Sequence, residues 1–334
     1  MNVLIIGGTG LISTGIVKHL LARGAHVTMF NRGQRENTLP PTVKHIRGDR
    51  GRPAEFDAAF GAGRYDVVMD MICFRPDQAE ATVERCAGRT EQVIFCSTVC
   101  TYGAKIPGHV LIDESFPQEP ISEYGRNKVA CEQIFLRADK ARKFRSTIVR
   151  PSHTYGPGGS LIDQLEFDSG TWDRVVRGLP VFCAGDGLGL WQSTHRDDCG
   201  KFFAYAAQNS KTYGEAYNAT RDEVFTWRDY YRQAGRALDI EVKLIFAPTA
   251  WLLHELPKRF GFLEEITQFH GGYSSAKAKA HVPEFRATID FETGARETLA
   301  DVRRRGAWRD SLNDAEYQRL IDKARALGLV PEVA

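Results

Sequence analysis

The chain lacks an excess of either charge: 44 basic residues stand against 42 acidic ones, a net of +2. That balance creates no broad field for a polyanion or an anionic bilayer, so neither nucleic acid nor a membrane surface is expected as a partner. It lacks a long apolar run. The first such run, NVLIIGG, has no basic segment before it and is broken by glycines, so it reads as a buried strand, not as a signal peptide or membrane span. It lacks cysteine pairs at Cys-x-x-Cys spacing. Seven scattered cysteines, an odd number, predict reduced thiols and a cytoplasmic location. Nine histidines show no His-x-x-x-His spacing, and no metal is expected. No repeat or low-complexity segment interrupts 334 residues, which at 43% hydrophobic suffice for one or two domains with a buried core.

What is present begins at the first strand, residues 2 to 7. The turn Gly7-Gly8-Thr9-Gly10-Leu11-Ile12-Ser13 then leads into the helix GIVKHLLARG. A helix N-terminus facing a glycine turn offers backbone N–H groups and a favourable dipole to a pyrophosphate. Gly7 permits the turn and Gly10 the close approach, so Gly7, Thr9, Gly10, Leu11 and Ile12 are the expected cofactor contacts. Ser13 stands where a third glycine would pack helix on strand, and a modest loosening is expected there. The next strand, AHVTMF, ends in Asn31-Arg32 without the acid that would hold an adenosine ribose. Arg32 and Arg35 can instead pair with a 2′-phosphate, which tilts the cofactor to NADP over NAD. A third strand, VKHIRGD, sets Asp49 toward adenine, and a fourth ends at Asp70–Phe74, placing Met71 beside the cofactor.

A fifth strand, QVIFCSTV, ends in the hydroxyls Ser97 and Thr98, at the end of the sheet that lines a ligand crevice. After it comes Tyr124-Gly125-Arg126-Asn127-Lys128, with Ser122 as N-cap, so the tyrosine and lysine share one face of a helix. A free phenol titrates near pH ~10. A neighbouring ammonium and a nicotinamide cation would lower that value and let Tyr124 exchange a proton with a substrate hydroxyl. Lys128 would also hold the nicotinamide ribose, and Thr98 or Ser97 would orient the reacting oxygen. A sixth strand, within FRSTIVRPSHTYGPGG, ends in a proline- and glycine-rich turn, with Pro151 an expected cofactor contact. Beyond about residue 160 the alternation of strand and helix fails, with Thr226 predicted to cap a later amphipathic helix. Arg150, Trp191, His195 and Arg196 are candidate anchors at pocket walls, each equally readable as structural.

GGTGLIS, STVCTYG, YGRNK, RPSHTYGPGG and STHRDD together resemble the extended short-chain dehydrogenase/reductases, the NAD-dependent epimerase/dehydratase group. The resemblance implies an α/β fold: a Rossmann doubly wound parallel sheet with a smaller C-terminal substrate domain. Residues 1–158 with roughly 190–222 would form the dinucleotide-binding domain, and 159–189 with 223–334 the discontinuous substrate domain. Tyr124, Lys128, Thr98 and Ser97 would be catalytic, acting by hydride transfer on a secondary alcohol or ketone, such as that of a nucleotide sugar. A homodimer through the helices of PDQAEATVERC and of Tyr124 is implied as well. Val99-Cys100 replace the Asp-Glu pair of the sugar dehydratases, which argues against water elimination. Chloroplast RNA-binding relatives with similar loops leave a second expectation, a non-catalytic RNA-binding or regulatory protein on the same fold.

Overall fold

The computed structural model describes residues 1–34, 39–61, 63–105, 111–167 and 169–334. The chain divides into two compact units: residues 1–154, 196–222 and 273–288, and residues 155–195, 223–272 and 289–334.

The first unit is built on β1 (Asn2–Ile6), β2 (His26–Asn31), β3 (Lys44–Arg47), β4 (Tyr65–Asp70), β5 (Thr90–Cys96) and β6 (Arg145–Pro151). With the strand Glu215–Ala219 they form one seven-stranded sheet, in the order 215–219, β6, β5, β4, β1, β2, β3. Every pairing is parallel. Alternate residues feed the two faces: Val3, Ile5, Met29 and Met69 pack into one cluster, and Leu4, Ile6, Phe30 and Val68 into the other. The order reverses between β1 and β4, and the carboxyl ends of those strands open the crevice that such sheets use for ligands.

Helix α1 (Leu11–Ala22) follows β1, and α2 (Pro53–Phe60), α3 (Pro76–Cys86) and α4 (Glu123–Lys140) follow in turn. Against α1 lies the helix Arg196–Ala206, at a distance only glycine allows. A Cβ on Gly15 would run into the Arg196 carbonyl oxygen, and one on Gly200 into the Gly15 carbonyl carbon.

In the second unit the strands Val181–Ala184 and Lys243–Ala247 run parallel, with Glu332–Val333 antiparallel at the edge. Thr226 caps the helix Trp227–Ala237, its Oγ1 accepting from the Asp229 N–H at 3.1 Å. Trp172, Tyr230, Tyr231 and Phe291 fill its core. Trp191 stacks on Trp227 there, with ring centroids 4.8 Å apart, and His195 is buried in the same unit. Among the described residues no helix is long and apolar enough to cross a membrane, and no cluster of metal-ligating side chains occurs.

Candidate active site

The glycine turn is shaped by what its side chains leave out. Gly7 has φ +94°, and a Cβ there would meet Ile72 Cγ2 at 2.5 Å. Gly10 is the N-cap of α1 and makes no side-chain cap, so the first N–H groups of the helix face the turn unspent. That cradle suits a pyrophosphate. Ser13 does not loosen the packing as expected: it is buried, and its hydroxyl donates to the Gly7 carbonyl at 3.0 Å. A serine thus tightens the turn, while the close approach of helices falls to Gly15 and Gly200.

A cleft of about 400 Å³ runs from this turn along the tips of β1, β2 and β3. Gly7, Thr9 and Gly10 line one end, and Asn31, Arg32 and Asp49 the other. Leu11 and Ile12 open α1, partly buried. Asn31 is locked in place: its Oδ1 accepts from the Gly33 N–H at 2.8 Å and bonds the His45 ring at 2.9 Å, and its amide donates to Thr9 Oγ1 at 3.3 Å. The strand end therefore presents a neutral amide and an exposed Arg32. Arg35 lies outside the described residues. Asp49 Oδ1 accepts from the Gly51 N–H at 2.8 Å.

The acid at the tip of β4 is internal to the protein. Asp70 is fully buried and takes N–H groups from Arg50 at 2.8 and 3.2 Å and the Thr82 hydroxyl at 2.7 Å. Sequence reasoning missed Arg50, whose only signal was its place beside Asp49. Met71 is buried behind the tip, whereas Ile72 and Phe74 reach the cleft.

The second cluster lies at the tips of β5 and β6. Ser122 caps α4 as expected, its hydroxyl oxygen accepting from the Gly125 N–H at 3.0 Å. One turn on, Lys128 is 1% exposed and donates to the Cys73 and Cys96 carbonyls at 2.9 and 2.6 Å. Its Nζ lies 5.7 Å from the Tyr124 ring centroid and 4.9 Å from that of Phe74. Thr98 begins a short turn, accepting from the Cys100 N–H at 3.2 Å, and its hydroxyl is near enough to Tyr124 to favour the phenolate. Thr98, Tyr124 and Lys128 are thus brought together, and Pro151 ends β6, the strand paired with β5 as far as Cys96–Val149.

Two expectations change here. Tyr124 is 41% exposed as a residue, yet the surroundings of its hydroxyl push its pKa up, not down. Desolvation dominates, the Cys96 and Cys100 thiols add to it, and the nearby Thr98 hydroxyl opposes it. The Lys128 ammonium is turned to carbonyls, and the protein's own groups favour a neutral phenol. Ser97 also departs from its expected place: its hydroxyl donates to Glu132 at 2.5 Å. Glu132 in turn takes N–H groups from Arg150 at 2.9 and 2.6 Å and from Gln118 at 2.9 Å, so Arg150 is structural. Glu132 was not singled out in the sequence, although it lies on the helical face of Lys128 four residues later.

Residues 3–220 match a family whose description is NAD dependent epimerase/dehydratase. A 2'-dehydrokanamycin reductase of Streptomyces kanamyceticus is 27% identical over 99% of this chain and 93% of its own length. The chloroplast stem-loop binding protein of 41 kDa b of Arabidopsis thaliana is 23% identical over 98% and 85%. A crystal structure of Thermus thermophilus UDP-glucose 4-epimerase in complex with NAD superposes with a TM-score of 0.71 at 24% identity, covering 91% of this chain and 99% of that one. That likeness concerns the fold.

Proposed function

The chain belongs to the NAD dependent epimerase/dehydratase family and is an NAD(P)-dependent enzyme of the short-chain dehydrogenase/reductase type, and we propose that it is a reductase of a ketone on a sugar ring. The observation that carries this reading is the convergence of Thr98 at the tip of β5 with Tyr124 and Lys128 on one face of α4, where desolvation favours the neutral phenol. A neutral phenol is the proton donor that ketone reduction needs.

A nicotinamide held in the cleft would supply the hydride. Gly7, Gly10 and the first N–H groups of α1 hold the pyrophosphate, and Ile72 and Phe74 floor the cleft. Thr98 and Tyr124 bind the substrate oxygen, and Tyr124 delivers its phenolic proton as negative charge develops there. Lys128 holds the floor through the Cys73 and Cys96 carbonyls, with its remaining N–H free for the ribose. NADP is preferred, because Asn31 puts no charge against a 2′-phosphate and Arg32 stands exposed at the rim. The first unit carries the nucleotide, and the second is the substrate domain. The substrate class follows the 2'-dehydrokanamycin reductase, a relative that matches along nearly the whole chain, and a nucleotide sugar is the nearest alternative. A cytoplasmic homodimer joined through α3 and α4 completes the reading; light scattering tests the dimer.

Tyr124→Phe tests the chemistry. Turnover of a keto sugar, followed by NADPH absorbance, falls by about 10²–10⁴-fold while NADPH binding is unchanged. Retained turnover removes Tyr124 from the reaction. The stem-loop binding relative supports a second reading, RNA binding on the same fold. Salt-dependent RNA affinity without nicotinamide binding would favour it.

A further inference from the structure

Beneath Tyr124 and Lys128, two thiols face each other with no part in the reaction proposed above. Cys73 lies in the segment after β4 and Cys131 on α4, 58 residues apart in sequence; both are buried, with their sulfurs 3.8 Å apart. The Cys73 carbonyl is also one of the two acceptors of Lys128 Nζ. The next residue, Phe74, is 45% exposed and lines the nucleotide cleft, so Cys73 is joined directly to a residue of the cleft.

We infer that Cys73 and Cys131 are an oxidation site, closing to a disulfide under a hydroperoxide and thereby loosening the grip on the nucleotide. The Cys131 thiolate attacks one peroxide oxygen. With hydrogen peroxide the O–O bond breaks, a sulfenic acid forms, and the other oxygen leaves as hydroxide, which takes up the proton Cys131 had released and becomes water. The Cys73 sulfur then attacks the sulfenic sulfur, the S–O bond breaks, and the hydroxyl leaves with the Cys73 proton as a second water. Two thiols lose two electrons in all, and the peroxide gains them. Cys131 is the first nucleophile: the Cys73 S–H donates to its sulfur, and that bond lowers its pKa against desolvation, with the Lys128 ammonium assisting, whereas that of the Cys73 thiol is raised.

A disulfide holds its sulfurs about 2 Å apart, so the pair must close by roughly half of its present gap. Cys131 is anchored within α4, an 18-residue helix, whereas Cys73 sits in irregular backbone. The movement therefore falls on Cys73, and its carbonyl and Phe74 move with it. Lys128 loses an acceptor and the cleft its floor. That consequence rests on the cofactor placement proposed above; formation of the bond does not.

The test uses the full chain, freed of reductant and treated with hydrogen peroxide, then alkylated under denaturing conditions. Peptide mapping is expected to show Cys73 joined to Cys131, and NADPH binding to weaken by roughly tenfold, the scale of one hydrogen bond to a charged group. A dithiol restores both. Cys131→Ser binds NADPH normally and does not respond; Cys131→Ala serves if serine perturbs the fold. Free alkylation of both thiols after peroxide has oxidised the more exposed Cys100 would overturn the inference. So would a joined pair that leaves binding unchanged, or a Cys131 variant that weakens equally. An enzyme that binds NADPH but reduces no keto sugar would fail the function proposed above and leave this test intact.

Discussion

Glu132 in the first unit and Asp163 in the second are each 1% exposed, yet the two carboxylates are held in different ways. Glu132 faces a guanidinium, that of Arg150, with Ser97 and Gln118 completing its bonds. The donors to Asp163 are neutral: the Leu165 and Glu166 N–H groups at 2.5 and 2.7 Å, and the Thr171 hydroxyl. Burial, with the like charge of Glu166 behind it, pushes Asp163 up to about 7. Three hydrogen bonds do not replace an opposite charge where water is excluded. The difference also separates two uses of a buried acid. Glu132 ties the β5 tip and β6 to the helix that carries Tyr124 and Lys128, whereas Asp163 staples a loop.

Removing the Glu132 carboxyl should break this contrast most severely. Glu132→Ala leaves the Arg150 cation buried beside a cavity and should cost roughly 3–5 kcal/mol, read from denaturant unfolding. A loss no larger than that of a surface substitution would dissolve the distinction.

Asp163→Asn should act in the opposite sense, and only at higher pH. The folded pKa of about 7 lies above the ordinary carboxylate value of 3.8. Between those values the native chain keeps a proton that the unfolded chain has released, so the stability due to that proton falls as pH rises through about 7. The neutral amide of the variant carries no such penalty. The variant should gain about 2 kcal/mol on wild type at high pH relative to low pH. Parallel unfolding curves at pH ~5 and ~8 check this, and a pH-independent difference between the two proteins would contradict it.

Ser97→Ala is the mildest of the three. It removes one donor from Glu132 and should cost about 1 kcal/mol with turnover near wild type. A collapse of turnover in a stably folded Ser97→Ala protein would return that hydroxyl to the reacting oxygen.

The parts legible in the sequence are those whose causes are local. The run β1–Gly7-Gly8-Thr9-Gly10–α1, the caps at Ser122 and Thr226, and the shared face of Tyr124 and Lys128 all follow from spacings of a few residues. The partner of Ser97 was not legible, because Glu132 lies 35 residues away and meets it only after α4 has packed on the sheet. The same holds for Lys128, whose acceptors are carbonyls 55 and 32 residues distant. Carbonyls carry no residue identity, so no motif could announce them.

By itself the sequence determined the nucleotide turn, the helix bearing Tyr124 and Lys128 and the alternation that buries both faces of the sheet, since backbone sterics and side-chain period act over neighbouring residues. Only the tertiary structure decided the direction of the Tyr124 pKa shift, the engagement of Ser97 and Arg150 with Glu132, and the meeting of Cys73 with Cys131. Desolvation and long-range pairing depend on which segments the fold places side by side, and that is known only once the sheet has closed.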